Sequence, residues 1–123
     1  MEGKFSVGGA KGFMRLMDKR SVPRESYITW EGYIPACFAQ FPADTRFSLV
    51  LVDVDHYQPT VDALQWSWPR LNRGGYLLLD DCGFDWDLES SRAIKEFLSS
   101  TNGFWVMGHY NNQLILRKDA DRD

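Results

Sequence analysis

Two short acidic clusters hold most of the chemistry this chain can offer: Asp53-Val54-Asp55-His56 and Asp80-Asp81. Each closes an apolar run, the first Phe47-Ser48-Leu49-Val50-Leu51-Val52 and the second Gly75-Tyr76-Leu77-Leu78-Leu79. Unbroken apolar runs rich in Val and Leu are the mark of strands buried on both faces of a parallel sheet. The stretch between them is long enough for the helical crossover that parallel neighbours need. Four carboxylates then gather at the carboxyl ends of adjacent strands, where open α/β sheets bind ligands. Unneutralised, they repel one another and raise each other's pKa values. A hard divalent cation, which takes oxygen ligands, removes that penalty. The pattern reads as a magnesium-type site, against the plainer reading of four solvated carboxylates. His56 is a candidate base or substrate contact, and equally a structural hydrogen-bonding residue beside a carboxylate.

Helix and strand alternate around these clusters. Residues 8 to 20 carry Ala10, Phe13, Met14 and Met17 at helical spacing, with three glycines against the helix. Tyr27-Ile28-Thr29-Trp30 reads as a short strand, then a turn at Glu31-Gly32, then a short helix over 34–40 with Pro35 in its first turn. Thr60 is placed to cap a helix whose Val61, Leu64, Trp68 and Leu71 share one face, and Pro69 ends or kinks it. Asn72-Arg73-Gly74-Gly75 turns the chain into the second acidic strand. Asp87 can cap a further helix with Ala93, Ile94, Phe97 and Leu98 inward. Phe104 to Met107 and Leu114 to Leu116, joined through Asn111-Asn112, form a terminal antiparallel hairpin, because asparagine tolerates positive φ. Only the tail, residues 118–123, reads as loose.

Composition bounds the rest. The 123 residues suffice for one domain with a real core, and 44% hydrophobic with 25% charged residues is globular. A formal charge of -3 with no basic block argues against nucleic acid. No apolar stretch reaches the length of a membrane span and no secretory signal opens the chain, so the expected compartment is the cytoplasm. Cys37 and Cys82 make neither a disulfide framework nor a thiolate metal pattern, and Cys82 reads as a small buried residue. His109, in the hairpin, suggests no function. The eighteen aromatics (five Trp, five Tyr, eight Phe) exceed what one core of this size needs.

Several of these segments also share their wording with a known family. Tyr33-Ile34-Pro35, the run Leu51-Val52-Asp53-Val54-Asp55-His56-Tyr57-Gln58-Pro59-Thr60-Val61-Asp62-Ala63-Leu64, Pro69-Arg70-Leu71, and Gly74-Gly75-Tyr76 through Asp80-Asp81-Cys82-Gly83 resemble the macrocin O-methyltransferase (TylF-type) family. These are class I S-adenosylmethionine enzymes that methylate sugar hydroxyls with the help of magnesium; catechol-type O-methyltransferases share the frame more loosely. The resemblance implies a three-layer, mostly parallel α/β sheet of Rossmann-like methyltransferase type that ends in an antiparallel hairpin. It implies Asp53, Asp80 and Asp81 as metal ligands, Asp53 also as general base, and the Glu31-Gly32-Tyr33 turn near the cofactor adenine.

The resemblance covers the second half of that domain, from the helix before its third strand onward. The opening strand with its glycine-rich turn, and the acid for the ribose hydroxyls, have no counterpart; Gly8-Gly9 and Gly12 follow no apolar strand. The chain therefore reads as a single partial domain, truncated at its N-terminus, expected to bind S-adenosylmethionine weakly or not at all alone. In the family's strand order, the two acidic strands, the last strand and the one before it lie side by side in that order. The strand ending in Asp53 is then an exposed apolar edge, which invites pairing. A homodimer through that edge, or through an exchanged Tyr27–Trp30 strand, is the expected assembly. Three functions stand: an O-methyltransferase completed by a partner, acting on a small-molecule hydroxyl; a non-catalytic oligomeric relic that binds metal or a small molecule; and a phosphoryl-transfer domain. The third ranks last. Asp53-Val54-Asp55 is superficially similar to an aspartate-nucleophile phosphatase, but Tyr57 stands where Thr or Val is needed and no strand-end lysine follows.

Overall fold

A computed structural model describes residues 9–80, 82 and 89–119, in two compact units, Met1–Phe41 and Pro42–Asp123. The first unit opens with helix α1, Gly9–Lys19, which half-buries Ala10, Phe13, Met14 and Met17 on one side as their spacing predicts. Phe13 meets Tyr27 edge-on, with ring centroids 5.3 Å apart. Residues 27–30 form no strand. A four-residue segment holds strand geometry only against a neighbour. Here the aromatics pack instead, Trp30 lying 4.0 Å from Phe41 by ring centroids. The helix expected over 34–40 is a 3-10 helix, Ala36–Gln40, with Pro35 at its N-cap position.

The second unit is built on a four-stranded sheet. Strand β1 (Phe47–Val52) leads through helix α2 (Tyr57–Ser67) to strand β2 (Leu71–Leu79), and helix α3 (Glu89–Ser100) precedes the hairpin β3 (Phe104–Tyr110) and β4 (Gln113–Lys118). The order across the sheet is β1-β2-β4-β3, with β1 and β2 parallel and the other two pairings antiparallel. This is the contiguous order the family resemblance implies. The hairpin turn at Asn111-Asn112 has both φ angles positive, 49° and 61°, as the dipeptide predicts.

Pairing sorts the side chains into two faces. Val52, Leu77, Leu79, Leu114 and Leu116 are buried on one, which also carries Phe104. The buried Ala63, Leu64, Ala93 and Ile94 of α2 and α3 complete this core, and Trp68 packs edge-on against both Phe97 and Phe104. On the opposite face Leu49 (59%), Leu51 (56%) and Trp105 (52%) are exposed, with Tyr76 beside them.

Four further details differ from the sequence reading. Thr60 lies inside α2, fully buried, its hydroxyl 2.6 Å from His56 O and 3.0 Å from Val54 O; His56 holds the N-cap position instead. Trp68-Pro69-Arg70 is a 3-10 turn after α2, because proline cannot continue the α-helical ladder, and Leu71 begins β2. Asn72 to Gly75 belongs to β2 as an irregularity rather than preceding it, since Phe47 pairs with Leu71 and Leu49 with Tyr76. Gly75 is required there: a Cβ would stand 2.8 Å from Ser48 O and from Asn72 O. Lys118 is not loose, for its ammonium donates to Trp68 O at 2.8 Å and Leu71 O at 2.9 Å. Asp119 N also reaches Gly103 O, at 2.8 Å. The expected Asp87 cap, and the tail beyond Asp119, lie outside the described residues.

Candidate functional site

Register brings the two acidic clusters together. Val52 pairs with Leu79, so Asp53 and Asp80 follow as neighbours at the carboxyl ends of adjacent parallel strands. Asp80 N donates to Val52 O at 3.0 Å, which ties the second strand end to the first one step beyond the ladder. Asp53 and Asp55 are exposed, and Asp80 is half-buried. Asp81, the third expected metal ligand, lies outside the described residues. Among the described residues no three His, Cys, Asp or Glu side chains converge, so a three-carboxylate site requires Asp81. The side chains of Asp53 and Asp80, oxygen donors only, suit a hard divalent cation.

His56 is turned toward α3. Its Nδ1 lies 3.4 Å from Glu89 Oε2, a long contact that becomes an ion pair when the ring is protonated. Glu89 stands in the first turn of α3, where a carboxylate is favoured by the helix dipole. Next in sequence, Tyr57 donates its hydroxyl to Glu96, and that bond pushes the phenol pKa up.

The hairpin supplies groups that the sequence reading passed over. Leu79 pairs with Leu114, which sets Gln113 opposite Asp80; Gln113 Nε2 donates to Asp80 Oδ1 at 3.3 Å. Cys82 N donates to Asn112 O at 2.8 Å, and His109 Nε2 donates to Cys82 O. Cys82 is buried and burial pushes its thiol pKa up, the inert thiol expected. Both cysteines are free. These contacts become legible only when the strand order is combined with the hairpin register; no local motif announces them.

The Glu31-Gly32-Tyr33 turn belongs to the first unit. Glu31 Oε1 accepts from Ala10 N at the start of α1, and Glu31 O accepts from Gln40 Nε2 at 3.0 Å. Gly32 has φ 145°, and a Cβ there would stand 3.0 Å from Cys37 Cβ. Tyr33 is exposed, and its carbonyl accepts from Cys37 N at 2.9 Å.

Strand-end carboxylates on an open α/β sheet, at the end where such sheets bind ligands, define a ligand-site α/β domain. Residues 8–82 match the family profile described as a methyltransferase domain, and the chain belongs to that family. The O-methyltransferase NovP has a similar structure, with TM-score 0.70 and 18% identity over 89% of this chain and 45% of NovP. This chain thus spans less than half the length of NovP. CalS11, a TDP-rhamnose 3'-O-methyltransferase of calicheamicin biosynthesis, aligns with TM-score 0.49 and 22% identity over 68% of this chain and 36% of its own. No curated protein matches the sequence. Among the described residues no helix is long and apolar enough to cross a membrane.

Proposed function

We propose that the chain forms the acidic strand ends of an S-adenosylmethionine-dependent O-methyltransferase of TylF type. In this reading Asp53, Asp80 and Asp81 hold magnesium or manganese, and the acceptor is a hydroxyl of a sugar or another small molecule. The observation that carries it is the register Val52 to Leu79, which sets Asp53 and Asp80 side by side. Membership of the methyltransferase domain family supports it.

Methyl transfer to oxygen needs a deprotonated hydroxyl in line with the methyl donor. A divalent cation, when bound, supplies the charge that lowers the hydroxyl pKa and fixes its direction. Asp53 takes the proton, being a carboxylate at the same strand end. His56 is the second base in reach of that loop, its ring oriented by Glu89. The family resemblance would give the Glu31-Gly32-Tyr33 turn the role of contacting the adenine of the methyl donor.

Thermal melting tests this. Magnesium at ten times its dissociation constant should stabilise the folded chain by about 1.4 kcal/mol, raising Tm by roughly 4–8 °C. An Asp80→Ala/Asp81→Ala double variant should show no rise. Equal curves with and without millimolar magnesium for both proteins would remove the cation from the reading.

Among the described strands β1 ends the sheet, and its Leu49 and Leu51 are exposed on one face; both support a second part of the proposal, a homodimer that covers them. An exchanged strand at residues 27–30 is not part of it, since that segment is not a strand.

A further inference from the structure

We propose that the terminal hairpin positions the acidic strand end, with Gln113 and His109 as the positioning residues of the cation site; this rests on the reading of Asp53, Asp80 and Asp81 as cation ligands.

Three contacts from the hairpin carry the inference. The antiparallel ladder between β2 and β4 ends at Leu79 and Leu114, and one step beyond it Asp80 faces Gln113. A cross-strand pair at that position has its side chains within reach of one another, and the Gln113 amide donates to Asp80 Oδ1 at 3.3 Å. Two residues on, Cys82 N donates to Asn112 O at 2.8 Å, so the hairpin turn holds the backbone after the acidic pair. His109 Nε2 then donates to Cys82 O, so both polar backbone groups of Cys82 are held by the hairpin. Asp80 N, bonded to Val52 O, ties the same segment to β1. Asp80 is therefore held from both neighbouring strands, and Cys82 from the hairpin.

This arrangement does for a carboxylate what outer partners commonly do for metal ligands. A carboxylate free to rotate loses entropy on binding an ion; one held by an amide donor on a single oxygen presents the other in a fixed direction. Partners of this kind are typically worth about tenfold to a hundredfold in metal affinity. His109 does not touch a ligand carboxylate. It acts through Cys82 O, and its role is positioning.

The test uses the full chain, with Mn2+ as the probe in calorimetry and amide hydrogen exchange followed by NMR. Gln113→Leu removes the amide at similar size, His109→Leu removes the ring donor, and His109→Gln restores a donor. Gln113→Leu and His109→Leu should each weaken Mn2+ binding by about tenfold or more while Tm stays within a few degrees of wild type, and His109→Gln should recover most of the affinity. His109→Leu should also speed exchange at the Cys82 amide without speeding exchange at Leu79 or Leu116. Unchanged Mn2+ affinity in both Leu variants, or a loss that only tracks unfolding, would overturn the proposal. If the wild type takes up no Mn2+, the cation reading fails. The positioning role then falls with it, whereas Mn2+ binding with unchanged exchange at Cys82 in His109→Leu overturns the positioning role alone.

Discussion

Gly75→Ala should destabilise the fold, although it only adds a methyl group in a strand. At Gly75 the new Cβ would stand 2.8 Å from each of Ser48 O, Asn72 O and Leu71 Cδ1, closer than the 3.0 Å below which something must shift. The leucine methyl can rotate aside, but the two oxygens are main-chain atoms of β1 and of the irregular stretch of β2. Relief requires the strands to separate where their register is set. Overpacking of this kind costs about 1–3 kcal/mol, and the reduced freedom of the unfolded chain returns about 0.4–1 kcal/mol. The net loss is about 1–2 kcal/mol, a fall in Tm of roughly 4–10 °C for a domain of this size. Gly108→Ala is the control, since nothing lies within 4 Å of its added Cβ. It should leave Tm level or raise it slightly through the unfolded state. Differential scanning calorimetry on the two variants decides the matter. A Gly75→Ala protein that melts at or above wild type would refute the close approach of β1 and β2.

Three further outcomes follow. Burial raises the Cys82 thiol pKa above its unfolded value, so its contribution is intact below about pH 8.5 and is lost as pH rises through the raised folded value. Urea unfolding at pH 7, 9 and 10 should show that decline, and Cys82→Ala should flatten part of the slope. Calorimetry with S-adenosylmethionine should show weak or undetectable binding to the 123-residue chain, because the Glu31-Gly32-Tyr33 turn proposed to meet the cofactor offers few polar groups and buried area alone does not give affinity. Micromolar binding would contradict this. Light scattering at micromolar concentration should give the mass of a dimer, and a stable monomer would mean that the β1 edge needs no second copy.

Much of the second unit was legible because its signals are local and agree. Both acidic strands, the crossover between them and the Asn111-Asn112 hairpin follow from apolar runs and turn chemistry, and the structure has them. What misled was sequence pattern without its partner. Residues 27–30 have strand composition but no neighbouring strand, so the backbone takes no strand geometry. Asn72 to Gly75 has the composition of a turn, yet pairing on either side absorbs it into β2. The joining of Asp53 and Asp80 was readable because strand ends are set by strand order. Gln113, His109 and Glu89 were not, because each reaches its partner across a gap in sequence that only register or helix packing closes.

Mn2+ titration by calorimetry tests the cation site most directly, on the wild type and on Asp53→Asn and Asp80→Asn variants. One ion should bind per chain, and each substitution should weaken binding by at least about tenfold without unfolding the protein. Wild-type binding that both variants reproduce, or no binding by the wild type at millimolar Mn2+, would contradict a cation site at these two strand ends.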